Sequence, residues 1–369
     1  MNSQLRYQIA LTLLSGIGPA RLRPLLLKLT PEQLFQYPLE YLQSIDEINP
    51  RIIDAIRSFD NWKRVDEEIK FIEEHKIDTY FISDEKYPTR LKECADAPLL
   101  LYGKGKADLN AKRILAVVGT RLNTDLGKKF TNELIESLQF SNITIVSGLA
   151  YGIDSIAHMQ ALQQQLPTLA VLAHGLDRIY PWVNRNLARQ IVEQEGALLT
   201  ECKQGEKTDT YLFPRRNRIV AGLSDATLVI ESAQNGGSLI TAELAWSYSR
   251  TVFAVPGRPG DQKSSGCLQL IKNQKAQLVT GAHDILYWMG WTNEIEQLNN
   301  LENKKNKCKQ VRSNDENQIL LLLSNQDSLH FEDIQQKTEW PTSKIAEMLL
   351  NLSLSGLIVS LPGNRYQLG

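Results

Sequence analysis

The chain has 369 residues, with 41 Lys and Arg against 42 Asp and Glu and a formal net charge of −1 at pH 7. Apolar residues at 42% and charged residues at 22% are ordinary globular composition, and the length predicts two or three domains. The neutral balance excludes nucleic-acid binding by a basic surface as a whole, so any such site must be a local patch. The longest apolar runs, such as Ile319 to Leu323, are too short to span a bilayer, so no membrane is expected as a partner. The start, Met1-Asn2-Ser3-Gln4, lacks the basic region and apolar core of a secretory signal. Cys94, Cys202, Cys267 and Cys308 lie far apart without a C-x-x-C pair. That pattern predicts no metal site, no disulfide framework and a reducing, cytoplasmic setting.

Residues 1–65 read as a small all-α domain. Leu5, Ile9, Leu13 and Leu14 recur at helical spacing, and a second periodic run holds Leu22, Leu25, Leu26 and Leu29. Between them, Leu14-Ser15-Gly16-Ile17-Gly18-Pro19-Ala20 resembles the turn of a helix-hairpin-helix, whose backbone N–H groups can meet a phosphate. A plain αα-hairpin uses glycines in the same way to end one helix and start the next. Basic and acidic residues balance in this segment, which favours packing or protein contact over strong DNA binding.

Residues 66–298 read as one α/β domain. Thr79–Ile82 and Leu99–Tyr102 are candidate strands flanking a short helical insert. The main series is Ile114–Val118, Thr144–Val146, Thr168–Leu172, Leu198–Thr200, Thr227–Ile230, Val252–Val255 and Gln277–Val279. Such continuous apolar runs belong to strands buried on both faces. Helical patterns between them, at Leu126–Leu138, Asn184–Gln194 and Leu239–Tyr248, predict a doubly wound, mostly parallel sheet with right-handed crossovers.

Residues 299–314 form a polar stretch with Lys304, Lys305, Lys307, Lys309 and Arg312, read as a basic linker. In residues 315–369, helical patterns at Gln318–Leu323, Phe331–Lys337 and Thr342–Leu354 precede two short strands around Pro362-Gly363-Asn364. That is a winged-helix pattern. Its recognition helix offers only Lys344 as a cation, in a segment with seven acidic and three basic residues. A protein-contact or degenerate module is favoured over readout of duplex sequence.

Open α/β sheets bind ligands beyond the carboxyl ends of their strands. Here those ends carry Gly119-Thr120-Arg121, then Ser147-Gly148-Leu149-Ala150-Tyr151-Gly152-Ile153-Asp154, then Ala173-His174-Gly175-Leu176-Asp177, and Gly236-Gly237-Ser238. The stretch Phe213-Pro214-Arg215-Arg216-Asn217-Arg218 adds three guanidinium groups, a carboxamide and a ring within six residues. Glycines let phosphates approach the backbone, arginine forks fit phosphate, and an exposed aromatic ring stacks on a base. The same stretch also fits a solvated basic turn with Phe213 in the core. Ser238 is placed to cap its helix, so its hydroxyl serves either the helix or a ligand.

Three enzyme signatures fail on spacing. G-x-G-x-x-G with a later acid is absent after the first strand, G-x-x-x-x-G-K-[ST] is absent throughout, and Asp154, Ser155 and His158 lack a G-x-S-x-G elbow. His158, between apolar neighbours, reads as a satisfied core histidine, and His174 stands alone near Gly175.

Taken together, Val118-Gly119-Thr120-Arg121, Ser147 to Asp154, His158, Gly175-Leu176-Asp177 with Tyr180-Pro181, and Phe213 to Ile219 resemble the DNA-processing protein A family, also called Smf. Gly222-Leu223-Ser224, Gly237 to Ala242 and Phe253 to Gly257 extend the resemblance, in order, over residues 80–290. Thr120 departs from the more frequent Ser, and Ala173-His174 stands where an extra glycine is usual. The resemblance implies an extended Rossmann-like sheet domain between the helical domain and the winged-helix-like domain. It implies a cytoplasmic, non-enzymatic, cofactor-free recombination mediator of natural transformation. Such a protein binds and protects incoming single-stranded DNA, helps load the RecA recombinase, and forms a homodimer through the sheet domain. On the resemblance, Arg121 clamps a phosphate and Phe213 stacks or shapes the groove wall. Arg215, Arg216, Asn217 and Arg218 line the pocket or brace it, and Gly119, Thr120, Ser147, Gly148, Gly237 and Ser238 supply backbone or hydroxyl donors.

Two other readings compete. An enzyme acting on a phosphorylated nucleotide-like molecule would draw on Asp154, Glu201 or Glu243 as acid or base, although nothing pairs those carboxylates in the sequence. A protein adaptor would use the acidic winged-helix-like segment and Trp288-Met289-Gly290-Trp291.

Overall fold

Alternation within the strands explains the layering. On the strand Ile114–Val118, Ile114, Ala116 and Val118 enter one core while Leu115 and Val117 enter another. A strand that is apolar at every position can do this only between two helical layers. The computed structural model describes residues 3–45, 48–207, 209–292, 314–324, 326, 328–354, 357–361 and 363–368. They divide into two units, Met1–Trp291 and Thr292–Gly369. The linker expected at 299–314 lies outside the described residues apart from Asn314, as does Cys308.

The first unit is built on nine strands: β1 Asp78–Phe81, β2 Leu100–Gly105, β3 Ile114–Val118, β4 Thr144–Ser147, β5 Thr168–Val171, β6 Ala197–Thr200, β7 Ala226–Val229, β8 Thr251–Ala254 and β9 Gln277–Leu278. Their spatial order is β1-β2-β6-β5-β4-β3-β7-β8-β9. Strands β3 to β9 run parallel, while β2 pairs antiparallel with both β1 and β6. From β3 the chain moves outward through β4, β5 and β6, then returns to the other side of β3 as β7. In register, Leu115 of β3 lies between Ile145 of β4 and Ala226 of β7. Strand order therefore reverses at β3, and the sheet is the doubly wound one expected.

The N-terminal helices Ser3–Thr12, Pro19–Leu26, Pro31–Gln36, Leu39–Gln43, Pro50–Arg57 and Trp62–His75 share one core with Leu100, Leu101 and the inner face of β3. The helix Trp62–His75 runs through residue 65 and buries Val65, Ile69, Phe71 and Ile72 at helical spacing. Several basic groups of this segment are engaged within the unit. Arg6 meets Asp66 at 2.9 Å, Arg23 donates to the carbonyls of Lys92 (2.6 Å) and Cys94, and Arg57 donates to Tyr37 O.

In the second unit, helices Asn314–Ser324, Phe331–Thr338 and Thr342–Leu354 pack around Ile319, Leu323, Ile334, Ile345 and Leu349. A three-stranded sheet completes the winged helix: β10 Leu329–His330, β11 Ile358–Leu361 and β12 Arg365–Leu368, in the order β10-β12-β11. Strand β10 has only two residues and carries no sequence signal of its own. The Lys344 ammonium lies 2.6 Å from Asp315 and 4.2 Å from the centre of the Trp340 ring. No helix among the described residues is long and apolar enough to cross a membrane.

Candidate functional site

The loops after β3, β4 and β7 and the start of the helix Leu212–Leu223 enclose a cleft of about 420 Å³. It lies where the strand order reverses, the position at which doubly wound sheets take ligands. Gly119, Thr120, Arg121 and Leu122 line it from the loop after β3, Gly148, Ala150 and Asp154 form its floor, and Phe213, Pro214, Arg216 and Asn217 line it from the helix Leu212–Leu223. Gly236, Gly237, Ser238, Ile240 and Thr241 close the end.

The floor is organised by Asp154. Its carboxylate accepts from the N–H of Gly148 at 3.2 Å and of Ala150 at 3.4 Å, folding the loop back onto the helix Ile153–Gln163. Gly152, at φ +77°, makes the turn between them, with Thr120 O where a side chain would sit. Burial pushes the Asp154 carboxyl up from its ordinary value, against the pull of the nearby Arg216 charge.

Arg216 is 5% exposed. Its Nη1 donates to Gly148 O and, at 2.6 Å, to Val171 O, so one guanidinium ties the ends of β4 and β5 together. Its Nε donates to Asn217 Oδ1 at 3.0 Å. A Cβ on residue 148 would collide with this guanidinium, which is why glycine stands there. Burial lowers the pKa of Arg216, and Asp154 opposes the shift.

Two histidines lie close by and serve the scaffold. His158 is fully buried with Nδ1 2.7 Å from Thr168 Oγ1, and burial together with Arg216 pulls its imidazole down to about 3. His174 accepts from Tyr180 N–H through Nε2 at 3.1 Å and contacts Gly175 O through Nδ1 at 2.9 Å, which holds the turn after β5. Burial lowers its pKa as well.

Arg121 is different. It is exposed, its guanidinium carbon lies 5.1 Å from the centre of the Phe213 ring, and among the described residues it has no ion-pair partner. The same cleft is lined by the start of the helix Gly237–Ser247, whose N-cap is Gly236 and which carries no side-chain cap. Uncapped N–H groups and the positive end of the helix dipole suit an anion. By contrast, the helix Asp125–Ser137 is already closed, since Thr124 caps Gly127 N–H at 3.0 Å and the Glu231 carboxylate takes Thr124 N–H at 2.9 Å.

Of the twelve residues the sequence suggested, nine line the cleft: Gly119, Thr120, Arg121, Gly148, Phe213, Arg216, Asn217, Gly237 and Ser238. Ser238 is not the helix cap, because its hydroxyl bonds Ser232 Oγ at 2.8 Å. The other three lie elsewhere. Ser147 is buried and donates to Val117 O at 2.6 Å. Arg215 is exposed outside the cleft, 3.2 Å from Glu201. Arg218 is buried and bonds Glu201 and Asp96 O. Ile240 and Thr241 in the end wall went unremarked as contacts, although the sequence shows them beside Gly237-Ser238. The three suggested acids are all engaged, Asp154 by backbone N–H groups, Glu201 by the two arginines and Glu243 by Lys275 at 2.7 Å.

Fold and cleft together define a doubly wound α/β protein with a cleft at its switch point and a separate winged helix. Residues 78–290 match the family model of DNA recombination-mediator protein A, and residues 306–364 match the DprA winged helix domain. The chain belongs to the DNA recombination-mediator protein A family, DprA/Smf. Protein Smf of Synechocystis is 36% identical over 305 residues, 78% of this chain and 73% of that protein. DNA processing protein DprA of Streptococcus pneumoniae is 43% identical over 211 residues, 57% of this chain and 74% of that protein. The X-ray structure of the Streptococcus pneumoniae protein superposes with a TM-score of 0.65 at 36% identity, covering 76% of this chain and 97% of that one. A structure of DNA processing protein A from Helicobacter pylori, described by its single-stranded DNA binding mode, superposes with a TM-score of 0.52 at 29% identity, covering 58% and 95%.

Proposed function

We propose that this chain binds single-stranded DNA in the switch-point cleft, without turnover and without strong sequence preference. The observation that carries the reading is Arg121, an exposed guanidinium stacked on Phe213 and free of any ion-pair partner among the described residues, in a cleft that an uncapped helix start also lines. A cation, a ring and a helix start lining one cleft suit a phosphate and its base. The name of the Helicobacter pylori structure lends the same ligand class. In this reading the protein is a cytoplasmic mediator that protects incoming DNA and helps load RecA during natural transformation. It acts as a homodimer through the sheet unit. Strand β9 supports the dimer, because among the described residues it ends the sheet with Leu278 48% exposed, and Trp246, 53% exposed, lies under Lys275. Occupation of Lys344 by Asp315 and Trp340 favours protein contact over DNA readout for the winged helix.

Enzymatic action on a phosphorylated nucleotide has less support, since Asp154, Glu201 and Glu243 are all tied into structural contacts. Fluorescence anisotropy with labelled single-stranded and duplex oligonucleotides over a salt series tests the reading. Tight binding that prefers the single strand, with Arg121→Ala weaker and its salt slope shallower by about 0.7, is the expected result. A well-folded wild type that ignores single strands at low salt would overturn it.

A further inference from the structure

Beyond the cleft, rings and guanidinium groups continue along one path. Phe213, already stacked with Arg121, lies 6.0 Å from Tyr180. Tyr180 and Pro181 line a small cavity of about 50 Å³ that shares Arg121, Gly148, Phe213 and Arg216 with the main cleft. The next residue, Trp182, opens the short 3-10 turn Trp182–Asn184 and is 69% exposed. An indole left in water forfeits the large stabilisation its burial would bring. The exposure is not that of a loose loop, because the segment is pinned on both sides. Tyr180 N–H is held by His174 Nε2 at 3.1 Å, and Asn184 Nδ2 donates to Leu149 O at 2.8 Å and to Ser155 Oγ at 3.0 Å. The Arg185 guanidinium carbon stacks 4.7 Å from the centre of the indole. Among the described residues Arg185 has no ion-pair partner.

We propose that Trp182 and Arg185 form a second stacking platform, which takes one base and its phosphate from a single strand running out of the cleft past Phe213 and Tyr180. The inference rests on the single-strand reading above. Continuity with the cleft and the alternation of rings with unpaired cations favour a nucleic-acid strand over a protein segment. Any base can occupy such a platform, because every base offers a π-face.

The test is binding of the full chain to labelled oligothymidylates of graded length. Lengths from about 4 to about 20 nucleotides bracket the roughly 4–16 that single-strand-binding modules occupy. Trp182→Ala should match wild type on the shortest strand and bind the longest roughly tenfold more weakly, the loss of one base–aromatic stack. Trp182→Phe should keep most of the affinity. Arg185→Ala should lose affinity only on the longer strands, with a salt slope shallower by about 0.7. If Trp182→Ala equals wild type at every length, or is weakened equally at every length, the platform does not exist as proposed. If Trp182→Ala binds every length normally but fails to capture the recombinase, the surface is a protein contact and the proposal falls. Failure of wild type to bind any single strand overturns both readings, whereas normal wild-type binding with an unaffected Trp182→Ala overturns this one alone.

Discussion

Arg216 and Arg121 line the same cleft, and replacing them should have opposite consequences. Arg216→Met keeps side-chain bulk but removes the donors to Gly148 O and Val171 O at the ends of β4 and β5. A buried acceptor left without its donor costs about 1–3 kcal/mol, and there are two of them. The buried Asp154 carboxylate also loses the cation that steadies it. Removing one partner from a buried charged set typically costs about 3–5 kcal/mol, which we take as the expected loss. That is a large part of a total stability of about 5–15 kcal/mol, and at about 2–4 °C per kcal/mol it lowers Tm by roughly 10 °C. Arg121→Ala deletes an exposed side chain and a stack worth about 0.5–1 kcal/mol, so its melting should stay within a few degrees of wild type while single-strand affinity falls. Arg216→Lys should lie between, since a point charge keeps Asp154 company but does not reproduce the planar fork. Circular dichroism melts and anisotropy titrations on the same preparations separate the two roles. Arg216→Met with wild-type melting and weak binding would show that its guanidinium is a free phosphate clamp, and the reasoning above would be refuted.

Three other outcomes follow from the same structure. His158 titrates near 3 when folded and near its ordinary value of 6.5 when unfolded, so the unfolded chain takes the proton first and stability falls as pH drops from about 6.5 towards 3. The slope is about 1.4 kcal/mol per pH unit, opposed at its lower end by Asp154, whose raised pKa favours the folded state in acid. Denaturant titrations of His158→Gln should show that limb flattened by one proton, and an unchanged limb would place the acid sensitivity elsewhere. Arg64 meets Glu68 at 2.7 Å, and the Glu68 carboxylate, 2% exposed, also takes Gln204 N–H at 3.1 Å, so it links the N-terminal helices to the segment leading to Phe213. Arg64→Ala should cost about 2 kcal/mol, discounted because Arg64 is itself 25% exposed, and Arg64→Ala/Glu68→Gln should recover part of it in denaturant melts. Trp246→Ala with Leu278→Asp should halve the sedimenting mass if β9 and its neighbour form the dimer edge, whereas an unchanged mass would move that interface elsewhere.

The parallel strands and the cleft position were legible because they depend on local patterns. Continuous apolar runs and the small residues that follow each run mark buried parallel strands and their open ends, without reference to anything distant. The arginine stretch was legible as chemistry and not as geometry. It lies on the helix Leu212–Leu223, where successive residues turn by about 100°. Leu212, Ile219, Val220 and Leu223 mark the core-facing stripe, and Arg216 falls on the same face, four residues after Leu212. Read with that period, the sequence puts Arg216 inside and Arg215 outside, as the structure does. What no periodicity encodes is the partner of each group. Glu201 holds Arg215 and Arg218, and the carbonyls of Gly148 and Val171 hold Arg216, all across loops that meet only in the folded sheet. Arg121 is the converse case, since the ring it stacks on is 92 positions away by sequence number and it has no ion-pair partner among the described residues. Of Arg121, Arg215, Arg216 and Arg218, the last three are held by partners in the fold, and among the described residues Arg121 has no ion-pair partner. The proposed binding of a flexible polyanion needs that division, because a charge already committed to holding its own loop cannot also move to meet a phosphate.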